Sequence, residues 1–214
     1  MPNQAVPIEW IEAEQQAKDL GFRCIIGIDE AGCGSLAGPV VAACVLLPAC
    51  FDLPGLNDSK RLSTKRREEL YSSLAVQTRY GVASASAQEI DSMNIRQASF
   101  LAMQRALQSL TDRLTENPDY LLVDCFTLPF WSGVQRGIVK GDTKVRSIAA
   151  ASIIAKVTRD GLMTEAAQQY PLYHFERHKG YPTVEHYRLL REHGLSEFHR
   201  TSFLRQFFGE ANPR

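Results

Sequence analysis

The chain has no signal-like start, no membrane-length apolar run, no surplus of either charge and no paired-cysteine spacing, and each absence removes a class of function. Its first residues, MPNQAVPIEWIEAEQQ, lack a basic stretch followed by an apolar one, so they do not read as a secretory signal. No stretch approaches the ~18 apolar residues of a membrane helix, so no membrane role is expected. With 24 basic and 24 acidic residues the net charge is zero. Bulk charge therefore predicts no polyanion partner, and any nucleic-acid surface must come from local clustering. The five cysteines, at 24, 33, 44, 50 and 125, form no C-x-x-C pair, and an odd number argues against a complete disulfide framework. Reduced thiols in the cytoplasm are the expectation. No internal repeat or low-complexity tract appears. The 214 residues suffice for one well-buried domain with a small appendage. With no extended oligomerisation stripe, a monomer is expected.

What is present is organised around 25–39, IIGIDEAGCGSLAGP. An apolar run reads as a buried strand. It leads into two adjacent carboxylates, Asp29 and Glu30, and then into a loop with glycines at 32, 34 and 38. Glycine removes a Cβ where something must approach the backbone closely or where φ must be positive. Neighbouring side chains on a strand point to opposite faces, so Asp29 and Glu30 converge only if the chain twists as it leaves the sheet.

Around that stretch the pattern predicts an amphipathic helix at 8–20 and strands at 23–29 and 39–47. Those strands should pair antiparallel, because the loop between them is too short for a helical crossover. A helix capped at Ser63 or Thr64 runs to about 76, and a third strand covers 78–86. Its basic cluster, Lys60, Arg61, Lys65, Arg66 and Arg67, suits either a solvated helix face or phosphate contacts. Phe100, Met103, Leu107, Leu110 and Leu114 recur at helical spacing within 95–114. A strand at 120–123 ends in Asp124, another at 136–140 precedes Asp142, and an alanine-rich helix covers 146–168. All five histidines lie beyond Pro171, amid arginines, in what reads as a small, locally basic helical appendage.

Carboxylates thus close two strands, at Asp29-Glu30 and at Asp124, and Asp142 follows a third apolar run. In α/β sheets ligands collect where strand ends open into loops, so acids distant in sequence can share one site. Packed carboxylates repel and raise one another's pKa. A hard divalent cation removes that cost, and Mg²⁺ and Mn²⁺ prefer oxygen ligands. No comparable His and Cys cluster supports zinc. Two such cations about 4 Å apart can activate a water and stabilise the leaving oxygen of a phosphodiester. Arg136, Lys140, Lys144, Arg146, Lys156 and Arg159 surround the later acids, which suits a polyanionic substrate. The residues by themselves reach a metal-dependent nuclease or phosphotransferase, and each acid alone could be a strand terminus or a helix cap.

IDEAGCGSLAGPVVAA resembles the signature of the type 2 ribonucleases H, Asp-Glu-Ala/Val-Gly-Arg-Gly followed by Gly-Pro. The likeness continues through LNDSKRLS (56–63), LLVD (121–124), KGD (140–142), IAAASIIAKVTRD (148–160), HKGYPT (178–183) and HRTSF (199–203). Only 28 residues precede Asp29 and the fourth carboxylate is Asp, so the chain is similar to the bacterial-like HII branch rather than to HIII.

The resemblance implies an α/β fold, a ribonuclease H-like mixed β-sheet flanked by helices. The catalytic core would be 1–170, and a C-terminal helical segment, 171–214, would pack on it and contact the substrate. It implies an endonuclease that cleaves the RNA strand of RNA/DNA hybrids and nicks 5′ of single ribonucleotides in duplex DNA, leaving 3′-hydroxyl and 5′-phosphate ends. By the same likeness Asp29, Glu30, Asp124 and Asp142 would hold two Mg²⁺ or Mn²⁺ ions. Gly32, Cys33 and Gly34 would present backbone groups to the 2′-hydroxyl that only a ribonucleotide carries. Tyr181 would stack on the sugar beside the cut, although outside the motif it would pass for an ordinary half-buried aromatic. Lys60 would contact a phosphate, and Asp160 would be a supporting residue paired with Arg159 or Lys156.

Two positions depart from the family. Cys33 stands where Arg is usual and Cys125 where Gly is common; the two thiols could also pair. Cys33 forgoes a guanidinium that could hold a phosphate bidentately, so weaker binding or altered junction preference is expected. At the tail, TSFLRQFF (201–208) resembles a sliding-clamp binding pattern with Thr in place of Gln. Helix packing is the competing use of that segment. The functional alternatives are a DNA nuclease of the same fold class, which would cut all-DNA duplexes, and a non-catalytic hybrid-binding module, indifferent to metal.

Overall fold

The computed structural model describes residues 9–56 and 59–209. Expectations that fall on 1–8, on Asn57 and Asp58 of the LNDSKRLS motif, or on 210–214 lie outside the described residues. Three strands, β1 (Ile25–Ala31), β2 (Val40–Leu46) and β3 (Arg79–Ala85), form an antiparallel meander. β4 (Tyr120–Asp124) runs parallel to β1, and β5 (Val134–Ile138) runs parallel to β4. The sheet order is β3-β2-β1-β4-β5, with β1 at the centre. The last strand starts two residues before the expected position, which leaves Asp142 beyond the sheet rather than beside it.

β2 is VVAACVL, buried throughout except at Leu46, and a strand apolar on both faces requires a covering layer on each. α4 (Ile95–Thr111) lies against Ile26, Ile28, Ala42 and Cys44 on one face. α5 (Arg146–Gln169) lies against Ala31, Ala43 and Val45 on the other, with α2 (Thr64–Gln77) beside it through Leu70 and Leu74. Missing side chains set the depth of that packing. A Cβ on Gly81 would strike the Ala106 carbonyl of α4, and one on Gly27 would strike Ser147 at the start of α5. The residues of α5 from Ser147 to Ala155 are all buried, as expected of a helix enclosed on every side. α1 (Glu9–Asp19) covers the β4 side, where Ala17 meets Ile25, Leu122 and Ile148. α3 (Ala87–Met93) was not foreseen, although Ser86 and Glu89 form both halves of a capping box.

From Pro171 the chain forms three short helices, α6 (Phe175–His178), α7 (Val184–His193) and α8 (Thr201–Leu204). Tyr173, Phe175 and Phe198 pack them onto Met163 and Ala166 of α5. Backbone hydrogen bonds join this segment to the loop between β1 and β2. Leu36 N donates to Gly180 O, Gly38 N to Phe198 O and Arg200 N to Leu36 O, each at 2.8 Å.

Candidate active site

Because β1 and β4 are parallel neighbours, their C-terminal ends open on the same edge of the sheet. Asp124 closes β4, and Asp142 sits on a single 3₁₀ turn, Gly141–Thr143. Lys140 enters that turn with a left-handed backbone, φ 56. Gly141 N donates to Asp124 Oδ1 at 2.7 Å. A Cβ on Gly141 would lie 2.6 Å from Ile148 Cδ1 and 3.3 Å from that same carboxylate oxygen. Lys-Gly-Asp is thus a turn that brings Asp142 beside Asp124.

Asp29 and Glu30 stay on opposite faces of β1, and the anticipated twist before the glycines is not needed. Asp29, 3% exposed, is held by the Ser152 hydroxyl on α5 and accepts from Glu30 N at 2.7 Å. Glu30 accepts from Cys33 Sγ at 3.2 Å, and that sulfur lies 3.3 Å from Ser99 Oγ on α4. At the open end of the sheet the two faces nevertheless feel one another. Burial, then Glu30 and Asp124, push Asp29 well above the usual carboxylate range. Burial, helped by Asp124, raises Glu30 against the thiol's hydrogen bond and the Lys60 charge. Burial, with Asp142, raises Asp124 against the Gly141 amide and Lys60. The four carboxylates form one electrostatic unit.

Lys60 Nζ lies 3.1 Å from Asp142 Oδ2, and its charge reaches Glu30 and Asp124. The Lys60 ammonium therefore supplies part of the counter-charge to this cluster. The donors are carboxylate oxygens, largely buried and mutually destabilised, which fits a hard divalent ion and not zinc. Among the described residues no group of three or more His, Cys, Asp or Glu side chains is gathered closely enough to hold a metal as it stands. Ser59 Oγ, 2.9 Å from Ser152 Oγ, fixes the segment that carries Lys60 against α5.

In the glycine loop, Gly32 has φ +98, and a Cβ there would collide with the Arg159 guanidinium. Gly34 is different: a Cβ would meet nothing within 4 Å. No packing among the described residues requires glycine at 34, so the open space in front of it remains available for a close approach. Cys33 lies between them, its thiol pushed up to about 12 by burial and the Glu30 charge, so it is a neutral thiol at neutral pH. All five cysteines are free, and Cys33 and Cys125 do not pair. Cys125 has φ 64, a conformation that L side chains resist and glycine adopts freely.

The segment that carries Tyr181 is held by three buried histidines, which sequence reading left without a role. His178 Nε2 faces Tyr173 O at 2.8 Å and its Nδ1 accepts from Gly180 N at 3.2 Å. His186 Nδ1 faces Tyr181 O at 3.0 Å, so it must carry the proton. His199 Nδ1 accepts from Ser196 N at 3.0 Å, leaving His199 Nε2 to donate to His186 Nε2 at 3.1 Å. Each ring is therefore neutral in one defined tautomer. Burial lowers His178 and brings His186 and His199 down to about 4. The Tyr181 ring itself lies half-buried, with Lys156 Nζ 5.0 Å and Arg159 Cζ 5.2 Å from its centroid.

Asp160 pairs with Lys156 at 2.7 Å. Of the basic cluster, Arg67 donates to Ser59 O and Leu62 O, and Arg66 pairs with Glu69 at 3.1 Å; both serve local structure. In the tail, Leu204 is buried and Phe207 packs on Tyr187 at 5.1 Å with Arg191 over its ring. Asp91 accepts hydrogen bonds from Thr201 and Ser202. Of the two tail phenylalanines, Phe208 is the exposed one. No helix among the described residues is long and apolar enough to cross a membrane.

Residues 26–206 match the sequence model of the family Ribonuclease HII. A Ribonuclease HII of Desulfitobacterium hafniense is 51% identical over 203 residues, spanning 92% of this chain and 76% of the relative. A solved ribonuclease H2 from Pyrococcus horikoshii superposes with TM-score 0.68 at 26% identity, covering 84% of this chain and 93% of the other. The ribonuclease HII of Archaeoglobus fulgidus, solved in a complex with PCNA, superposes with TM-score 0.66 at 26% identity and the same coverage.

Proposed function

The chain belongs to the ribonuclease HII family and is a hydrolase of the ribonuclease H type, and from that premise we propose that it cleaves the RNA strand of RNA/DNA hybrids and nicks duplex DNA 5′ of a single embedded ribonucleotide. The products are 3′-hydroxyl and 5′-phosphate ends. The observation that carries this reading is the electrostatic unit of Asp29, Glu30, Asp124 and Asp142, three of them raised by burial and one another, with the Lys60 ammonium at its mouth.

In this reading those four carboxylates are the ligands of two Mg²⁺ or Mn²⁺ ions. Bound there, the ions supply an activated water and neutralise charge on the leaving 3′-oxygen. The remaining work belongs to the chain. Asp29 and Asp124 are oriented before substrate arrives, by Ser152 and by the Gly141 amide. Lys60, once released from Asp142, has the reach and charge for a substrate phosphate. The open space before Gly34 admits the sugar edge, so that backbone groups of Gly32, Cys33 and Gly34 can meet the 2′-hydroxyl. Tyr181 stacks on the adjacent sugar, its ring backed by Lys156 and Arg159. The core is 1–170, and 171–214 contacts the substrate. The enzyme works as a cytoplasmic monomer. A sliding-clamp contact through 201–208 would first have to free Leu204 and Phe207 from their internal partners.

The test is a DNA duplex with one embedded ribonucleotide, incubated with Mg²⁺, Mn²⁺ or EDTA beside an all-DNA control. A metal-dependent nick on the 5′ side of the ribonucleotide, with the control untouched, is expected. Cleavage of the all-DNA duplex would overturn the requirement for a 2′-hydroxyl, and cleavage in EDTA would overturn the metal assignment.

A further inference from the structure

Arg159 lies in the middle of α5 with no exposed surface, and no hydrogen bond links it to a carboxylate. Its neighbour Asp160 is engaged by Lys156. Burial lowers the Arg159 pKa although the Asp160 charge reaches it without a direct ion pair; a buried guanidinium so weakly compensated is costly, so its retention calls for a reason. Its donors go to backbone carbonyls of two separate segments. Nε donates to Pro39 O at 2.9 Å and Nη2 to Ala37 O at 3.1 Å, on either side of Gly38 at the end of the glycine loop; Nη1 donates to Lys179 O at 3.0 Å, two residues before Tyr181. The same guanidinium fills the space that a side chain on Gly32 would need and lies 5.2 Å from the Tyr181 ring. Arg200 adds a second grip on the glycine loop alone, through Gly38 O at 2.9 Å and Cys33 O at 3.0 Å.

We propose that Arg159 is a specificity-determining positioning residue: its planar fork sets the gap between the glycine loop and Tyr181, and so governs recognition of one ribonucleotide flanked by DNA. This rests on the function proposed above. A continuous RNA strand offers a 2′-hydroxyl in every register, so a loosened gap still finds one to engage. A lone ribonucleotide offers one hydroxyl in one geometry, and reacting groups misplaced by about 1 Å cost on the order of 10²-fold in rate. Lysine keeps the charge but cannot span three carbonyls in a plane.

The experiment measures kcat/KM of the full chain and of Arg159→Lys on two substrates, a single-ribonucleotide duplex and a continuous RNA/DNA hybrid. The ratio between substrates comes from the same folded molecules, so partial unfolding does not move it. The variant should lose about 100-fold on the single ribonucleotide and less than about tenfold on the hybrid. An equal loss on both, or no loss, would overturn the assignment and leave Arg159 a packing residue. If the unaltered chain cleaves neither substrate with Mg²⁺ or Mn²⁺, the functional reading itself has failed, a distinguishable result. If Arg159→Lys does not fold, the buried Arg159 Nε–H of the unaltered chain is followed by NMR in EDTA. It should shift with the single-ribonucleotide duplex and not with all-DNA duplex; the same response to both would refute the proposal.

Discussion

Lowering the pH should unlock the support of Tyr181 before it touches the rest of the molecule. His186 and His199 are essentially enclosed, at 0% and 2% exposure, and burial lowers each from 6.5 to about 4. The unfolded chain binds protons on these rings below about 6.5 while the folded chain refuses them down to about 4, so stability falls as pH drops through that window and levels off beneath it. Between about pH 7 and pH 5 each ring costs about 2 kcal/mol, and the pair about 4 kcal/mol. With a urea slope of about 2 kcal/mol/M, the histidine pair alone corresponds to a drop of roughly 2 M in the unfolding midpoint. The raised carboxylates Asp29, Glu30 and Asp124 act in the opposite sense, gaining stability as pH falls. The comparison is therefore made against His199→Gln, which keeps a donor towards His186 and lacks the titration; over the same pH range its midpoint should fall by about 1 M less than that of the unaltered chain. Parallel curves for the two proteins would refute the tautomer argument.

Four further outcomes follow from the site. Asp124→Asn retains an acceptor for the Gly141 amide but removes a buried charge raised by its surroundings; cleavage should fall at least ~10³-fold while the melting temperature rises. A fall in melting temperature would mean that the carboxylate is already compensated, and Mg²⁺ should raise the melting temperature of the unaltered chain more than that of the variant. Cys125→Gly relieves a left-handed backbone and should stabilise the fold by about 0.5–1 kcal/mol, seen as a rise of about 2–4 °C in thermal unfolding; destabilisation would show the thiol to be a needed contact. Exposed Cys50 and Cys125 should alkylate first and the fully buried Cys44 last, with Cys33, its thiol near 12, between them, while Cys33→Arg should tighten substrate binding; unchanged affinity and cleavage position would sink the idea that the missing guanidinium matters.

The strands and long helices were legible because their signals are periodic and local: the all-apolar run of β2, the stripe of α4, the alanines of α5. Asp124 and Asp142 could be nominated because both follow apolar runs. What the chain does with Arg159, Arg200 and the histidines was not legible. Each uses backbone carbonyls or other rings as partners, and a carbonyl leaves no mark in a one-letter string. In sequence Arg159 looks like one more member of a basic face; in space it is enclosed. The capping box at Ser86 and Glu89 was readable and passed over. The placement of Lys60 against Asp142, 82 residues apart, depends on how two loops meet at the sheet's end, which spacing cannot supply.

The grip of Arg200 on the glycine loop spans 162 residues to Gly38 and 167 to Cys33, with Gly180 and Phe198 closing the same loop. Such distant closures come late, because the loop entropy they cost must be met by contacts formed earlier. During synthesis the sheet, with all four carboxylates, can assemble while the glycine loop still lacks its last partners. On the function proposed above, a half-made chain would carry the cutting edge without the means to align it, and a truncated product would be a poor nuclease instead of an indiscriminate one.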